Sequence, residues 1–211
     1  MPPEVSIEAD GKRLAATLTE SVQARGLVIF AHGSGSSRHS ARNIFVAEQL
    51  NERGFSTLLL DLLTPSEDRI DRVTAELRFD IELLATRVER ASAWAETDPR
   101  LRSLAQGYFG ASTGAAAALV AASVRPSVRA VVSRGGRPDL AGAALPYVQA
   151  ATLLLVGGND PVVLQLNEEA KRRMRAVCEL IVIPGAGHLF EEAGALEAVA
   201  KRAGEWFERH L

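Results

Sequence analysis

Short apolar runs alternate with helix-patterned stretches along most of this chain, and that alternation narrows the possible folds more than any other feature. Leu27 to Phe30, Ser56 to Leu60, Leu104 to Phe109, Val128 to Ser133, Thr152 to Val156 and Leu180 to Ile183 are short, rich in β-formers and bounded by turn residues. Strands that are apolar on both faces suit the middle of a parallel sheet. Between them, Ile44 to Glu52 (closed by Gly54), Val73 to Glu96, Ser112 to Ala122, Val163 to Val177 and Ala195 to His210 predict helices. In the second of these, Leu77, Ile81, Leu84, Val88 and Ala91 share one face. Asp61 to Asp71, which carries Pro65, reads as a loop. Val5 to Ala9 and Leu14 to Thr19 predict an N-terminal hairpin across Asp10-Gly11. The pattern predicts an α/β fold of right-handed βαβ units, with a mostly parallel sheet covered by helices on both faces.

No Ser/Gly/Pro-rich stretch divides the 211 residues, so they are read as a single domain, 1–211. With 47% hydrophobic and 24% charged residues the composition excludes a disordered chain. A net charge of −2, with acids and bases mixed, provides no footprint for nucleic acid or an anionic membrane. The lone Cys178 rules out an intrachain disulfide and permits a reducing compartment. Met1-Pro2-Pro3-Glu4 is unlike a signal peptide, and no apolar run has the length of a membrane span. A cytoplasmic protein is expected, as a monomer or a homodimer equally. No histidine pair has metal-ligand spacing, and no cofactor is implied.

In parallel sheets the working residues sit on loops at the carboxyl ends of the strands. Polar clusters fall at several such ends: His32 to Arg38, Ser112, Arg134, Asp160 and His188. Gly110-Ala111-Ser112-Thr113-Gly114 joins a strand to an alanine-rich helix. A serine on so sharp a turn exposes its hydroxyl above the sheet, and glycines two residues to either side let the backbones pass closely. Ser133 also ends a strand and has Gly135 after it, but Val131 stands where the first glycine should be. Ser112 is therefore the candidate nucleophile.

A serine needs a base, and the base an orienting carboxylate. Of the four histidines, His32 and His39 precede the serine and His210 lies on the last helix; only His188 follows a later strand, in Pro184-Gly185-Ala186-Gly187-His188. Asp160, in Gly157-Gly158-Asn159-Asp160-Pro161, ends the strand between serine and histidine and is the candidate acid, and it would also suit a helix N-cap. Asp139, after the preceding strand, is its rival. The Thr113 N–H, just after the nucleophile, and an N–H of the His32-Gly33-Ser34-Gly35 loop would form the oxyanion hole, with Ser34 favoured over Gly33. That loop lacks the third glycine and the lysine of phosphate-binding loops.

These motifs resemble the α/β-hydrolase superfamily, specifically its small, lid-poor members similar to dienelactone hydrolases. The resemblance runs from Leu27 to Gly33, through Gly110 to Gly114 and Gly157 to Asp160, to Gly187-His188, nearly the whole chain. It implies hydrolysis of carboxylic esters or related acyl bonds in a small-molecule substrate, through a covalent acyl-enzyme. Dienelactone hydrolases proper carry cysteine as the nucleophile. Serine at that position here favours a general carboxylesterase, with lactones and other acyl bonds kept as alternative substrates.

Substrate contacts are expected from Gly33, Arg38 and Arg134. The wider cluster of Arg38, His39, Arg42, Arg134 and Arg137 could hold a carboxylate or phosphate, or pair with nearby acids. Only Arg134 to Ala151 could cover the site, so no large cap and an open pocket are expected. Acyl transfer or carbon–carbon bond hydrolysis could use the same triad, and a binding protein that keeps the fold without chemistry is the remaining alternative.

Overall fold

Eight strands in the order β1-β2-β4-β3-β5-β6-β7-β8 form one sheet. They are β1 (Glu4–Ala9), β2 (Lys12–Thr19), β3 (Leu27–Ala31), β4 (Ser56–Leu60), β5 (Gln106–Ala111), β6 (Val128–Arg134), β7 (Ala151–Gly157) and β8 (Cys178–Ile183). The computed structural model describes residues 3–211. β1 and β2 form the expected hairpin, with Asp10 (φ 51°) and Gly11 (φ 74°) both left-handed between the paired Ala9 and Lys12. That geometry matches the right-handed twist of the flanking strands. β2 runs antiparallel to β4, and every later pairing is parallel.

β3, β4 and β5 are buried along their whole length, which accounts for apolar runs without alternation. One face of the sheet packs on α1 (Ala41–Glu52) and α6 (Ala195–His210) through Val46, Leu50, Phe55, Val199, Trp206 and Phe207. The other packs on α3 (Ile81–Thr97), α4 (Thr113–Val124) and α5 (Pro161–Arg173) through Leu84, Val88, Ala117, Leu119, Val131 and Ala170. No helix among the described residues is long and apolar enough to cross a membrane.

The structure revises two expectations, one for a loop and one for a helix. Asp61 to Asp71 is no loop: α2 (Pro65–Thr74) starts inside it, with Thr64 and Glu67 forming a reciprocal capping box and Pro65 at the first helical position. Proline is well placed there because its missing N–H would have no intrahelical partner anyway. The stretch from Val73 to Glu96 is not one helix either. Ala75 turns left-handed (φ 57°), Leu77–Phe79 form a single 3₁₀ turn, and Asp80 caps α3 by accepting from the Leu83 N–H at 3.0 Å. The buried Asp71 holds this break, accepting from the Arg78 backbone N–H at 2.9 Å and from Arg78 Nε at 2.7 Å.

The segment after β6 forms a kinked 3₁₀ stretch, Pro138–Tyr147, packed against α4 and α5. As expected, there is no large cap among the described residues.

Candidate functional site

The chain leaves β3 for β4 on one side and returns to β5 on the other, so the loops after β3 and β5 flank the point where strand order reverses. A crevice opens at the carboxyl ends of the strands at such a point. Ser112 sits at the end of β5 with φ 50° and ψ −121°, a conformation that costs a non-glycine residue about 1–3 kcal/mol. Its neighbours hold it there. The Ser112 N–H donates to the Arg134 carbonyl at 3.2 Å, and the Ser112 carbonyl accepts from the N–H groups of Ala115 and Arg137, both at 3.1 Å. A β-carbon at Gly114 would overlap the Ala31 and His32 carbonyl oxygens, and one at Gly110 would overlap the Ala115 backbone. Both glycines are therefore required by close backbone approach, the mechanical reason expected from their spacing.

Ser112 and His188 line one cavity of about 270 Å³, together with Gly33, Ser34, Arg42, Asn43, Arg134 and Leu189. Asp160 Oδ2 lies 2.7 Å from His188 Nδ1, a distance that leaves Nε2 as the ring atom available to the cavity. Asp160 also caps α5, accepting weakly from the Val163 N–H at 3.4 Å, so the contact to His188 and the helix cap coexist. The rival Asp139 is held by Arg137 through two bonds of 2.9 and 2.8 Å. Ser133, the rival serine, is fully buried.

Thr113 opens α4, and its N–H is one of the helix donors without an intrahelical acceptor. Ser34 lies across from it, their hydroxyl oxygens 3.0 Å apart. His32 locks the loop that carries Ser34. Its Nδ1 donates to the Gly33 carbonyl at 2.9 Å, and its Nε2 accepts from the Leu62 N–H at 3.0 Å. Burial pushes the His32 pKa down, overriding the opposing pull of the Gly33 carbonyl, Asp61 and Asp68. A neutral imidazole with one donor and one acceptor is what those two bonds require.

The expected substrate residues separate. Gly33 and Arg134 line the Ser112 cavity; Arg38 does not. Its guanidinium is bound by Asp61 and, at 2.7 Å, by Glu4, and its backbone N–H donates to Asp61 at 2.7 Å, so it is a structural anchor for the loop before α1. Asn43 was missed in the sequence. It lies buried on the first turn of α1 and meets Arg134 at 3.3 Å, and a lone polar residue in a helix gives no sign of a partner 91 positions away. A larger cavity of about 420 Å³ adjoins the first and shares Ser36 and Ser40 with it, but contains neither Ser112 nor His188. Among the described residues no group of three His, Cys, Asp or Glu is placed to hold a metal ion.

Comparison with known proteins places this architecture in context. The model of the family described as "Alpha/beta hydrolase family" matches residues 8–202. A crystal structure of dienelactone hydrolase from Anabaena variabilis is 54% identical, with a TM-score of 0.97, covering 100% of this chain and 99% of that one. Est1E from Butyrivibrio proteoclasticus shares the fold at 17% identity, with a TM-score of 0.81 and 98% of each chain covered. Two Mycobacterium tuberculosis proteins, each named "Putative phosphoribosyl transferase", are 58% identical over 209 residues, which is 99% of this chain and 46% of theirs. The chain thus spans about half the length of these curated relatives. With its eight-stranded sheet, its Ser112 turn and a match over nearly its whole length, the chain belongs to the alpha/beta hydrolase family, as a dienelactone-hydrolase-like member.

Proposed function

We propose that the protein is a serine hydrolase that cleaves carboxylic esters of small molecules through an acyl-enzyme, with Ser112 as nucleophile, His188 as base and Asp160 as orienting acid. The observation that carries this reading is the 2.7 Å contact from Asp160 to His188 Nδ1, made beside a strained Ser112 that lines the same cavity as the histidine.

Each residue then has one task. Asp160 holds the His188 tautomer that carries its proton on Nδ1, so Nε2 accepts the Ser112 proton as Oγ attacks the carbonyl carbon. The carbonyl oxygen gains negative charge between the Thr113 and Ser34 N–H groups, where the α4 N-terminus adds favourable potential. The intermediate collapses, the carbon–oxygen bond to the alcohol breaks, and His188 returns its proton to the leaving alkoxide. Water, deprotonated by His188, attacks the acyl carbon and releases the acid, and Ser112 recovers its proton.

The transferase name of the mycobacterial relatives belongs to chains more than twice as long. Hydrolysis is assigned to the segment matched here because the family model and the 54% identical dienelactone hydrolase both cover this same segment.

The test is turnover of 4-nitrophenyl acetate by wild type and Ser112→Ala, with fluorophosphonate labelling of both. Wild type should turn over and label. The variant should lose activity by roughly 10⁴-fold or more and fail to label. An active, labelled Ser112→Ala protein would overturn the assignment.

A further inference from the structure

The Ser112 cavity, at about 270 Å³, falls just below the roughly 300–1,000 Å³ common for small-molecule sites. Next to it lies the cavity of about 420 Å³, and Ser36 and Ser40 stand on the border of both. It opens between the loop from β3 to α1, residues 32–40, and the chain that leaves β4 and enters α2. A substrate seated on Ser112 therefore has a second compartment within reach along the Ser36–Ser40 edge. The proposed reaction gives that compartment no task, because neither Ser112 nor His188 lines it.

Its lining is rich in hydrogen-bonding groups that the fold leaves partly unused. Ser36, Ser37 and Ser40 contribute hydroxyls, and no acceptor among the described residues takes a proton from any of them. Ser37 and Ser40 only accept, from the N–H groups of His39 at 3.2 Å and Asn43 at 3.4 Å. Asp61 and Asp68 contribute carboxylates, and each already has an arginine. Asp61 accepts from the Arg38 backbone N–H at 2.7 Å and from its guanidinium, and Asp68 pairs with Arg72 at 2.7 Å. A carboxylate offers about four lone-pair sites, so both acids keep room for further donors. Leu63 and Pro65 supply the apolar part of the wall.

Charge decides what such a surface holds. An anion would meet two carboxylates, and a cation would compete with the two arginines that already neutralise them. What remains unmet is neutral hydrogen bonding: protons on the serines and spare lone pairs on the acids. The hydroxyls of a polyol answer both at once, because each donates to a carboxylate and accepts from a serine. Its C–H face then lies on Leu63 and Pro65.

We infer that the cavity between the 32–40 loop and α2 is a subsite for a neutral polyhydroxylated ring, a sugar or cyclic polyol, carried by the ester that Ser112 cleaves. This rests on the reading of Ser112 as nucleophile, and it assigns the part of the substrate remote from the scissile bond. Ser37 and Asp68 are then specificity-determining residues that touch this ring and not the reacting carbonyl.

The ring can be attached through either half of the ester, and two matched pairs separate the cases. Glucose 6-acetate is compared with cyclohexylmethyl acetate, and methyl quinate with methyl cyclohexanecarboxylate, by proton release. In at least one pair wild type should prefer the hydroxylated ester in kcat/KM, and that pair identifies the alcohol or the acid half. In the double variant Ser37→Ala/Asp68→Ala the preference should fall roughly 10- to 100-fold, the worth of a hydrogen bond to a charged group. Asp68→Asn, which keeps an acceptor, should retain part of it. The Asp68–Arg72 pair lies at the surface, where such pairs add little stability, so the double variant should melt close to wild type. A second readout needs no catalysis. In the Ser112→Ala background, saturation-transfer NMR should show the ring protons of glucose 6-acetate or methyl quinate in contact with the protein. The added Ser37→Ala/Asp68→Ala should remove that contact.

A wild type that prefers neither hydroxylated ester overturns the inference with no variant needed. Equal losses on both members of a pair in the double variant overturn it in favour of a structural role at the start of α2. A preference that survives the double variant overturns it too, because the hydroxyls are then read elsewhere. If no ester is turned over and Ser112 resists fluorophosphonate, the nucleophile reading has failed. The NMR measurement then decides the subsite alone: contact that depends on Ser37 and Asp68 supports it, and absent or unchanged contact overturns it.

Discussion

Asp160 and His188 meet at 2.7 Å although 28 residues separate them, and the two turns that carry them are joined by backbone bonds. The Asn159 N–H donates to the Ala186 carbonyl at 2.9 Å, and Asn159 Nδ2 to the Gly185 carbonyl at 2.8 Å. In the proposed mechanism Asp160 does not accept the reacting proton; it fixes which ring nitrogen carries one. Asp160→Asn should therefore leave folding nearly intact and lower kcat by about 10³- to 10⁴-fold, as loss of the correct tautomer does in serine proteases. Steady-state kinetics beside a thermal melt check this, and a loss below tenfold would remove Asp160 from the triad.

Gly114 has no room for a side chain. A β-carbon there would enter the Ala31 and His32 carbonyls, so Gly114→Ala must push α4 away from the end of β3. Overpacking of this kind costs typically 1–3 kcal/mol. Tm should fall by roughly 4–8 °C, taking about 2 kcal/mol for a chain of this size. Fluorophosphonate labelling of Ser112 should slow in parallel, because the same shift misplaces the turn.

Asp71 and Arg78 should give the molecule an acid-sensitive joint. Burial alone would raise the Asp71 pKa, but the Arg78 backbone N–H and guanidinium outweigh it and hold the carboxyl below its ordinary value of 3.8. A depressed folded pKa means stability that is complete above the unfolded value and lost as pH falls through the folded one. Asp71→Asn should cost roughly 2 kcal/mol at pH 7. The gap to wild type should close only below about pH 4, as urea melts across pH would show.

His32 titrates in a separate window. Its folded pKa is depressed by burial, and a histidine kept neutral in the fold favours unfolding once the unfolded chain can bind the proton. Stability should therefore decline as pH drops below about 6.5, down to the folded pKa. His32→Gln, which keeps one donor and one acceptor, should lose stability at pH 7 but show a flatter profile between pH 6.5 and 5. An unchanged slope would mean that His32 is already protonated in the fold.

The sheet was legible in the sequence because its central strands are short, mostly apolar and bounded by turn residues, and the hairpin because Asp10-Gly11 admits little else. The Ser112 turn was legible because steric limits leave the glycines at 110 and 114 no substitute. What stayed hidden was the path from Asp61 to Asp80. Thr64 and Glu67 carry a capping-box signature, and Pro65, inside the stretch that reads as a loop, sits at the one helical position that welcomes it. The left-handed turn at Ala75 is imposed by contacts between Asp71 and Arg78, and nothing in the local sequence forces it. The Arg134 environment was hidden for a related reason: Asn43 and Phe190 reach it from opposite ends of the chain. Arg38 and Arg134 look alike as residue types, and only packing shows that one is paired and the other is not.

The lacing of the 157–160 turn to the 185–188 loop has a mechanical consequence. A β-carbon at Gly157 would strike the carbonyls of Ala186 and Gly187, so these two turns are pressed together as well as bonded. Packing and bonds together make them one rigid unit of the site. The Ser112 turn, clamped between the Ala31–His32 carbonyls and the backbone of Arg134 and Arg137, is a second body. Three side chains from three loops thus reduce to a single adjustable gap, and whatever bridges that gap, a substrate included, sets the alignment of the whole assembly in one stroke.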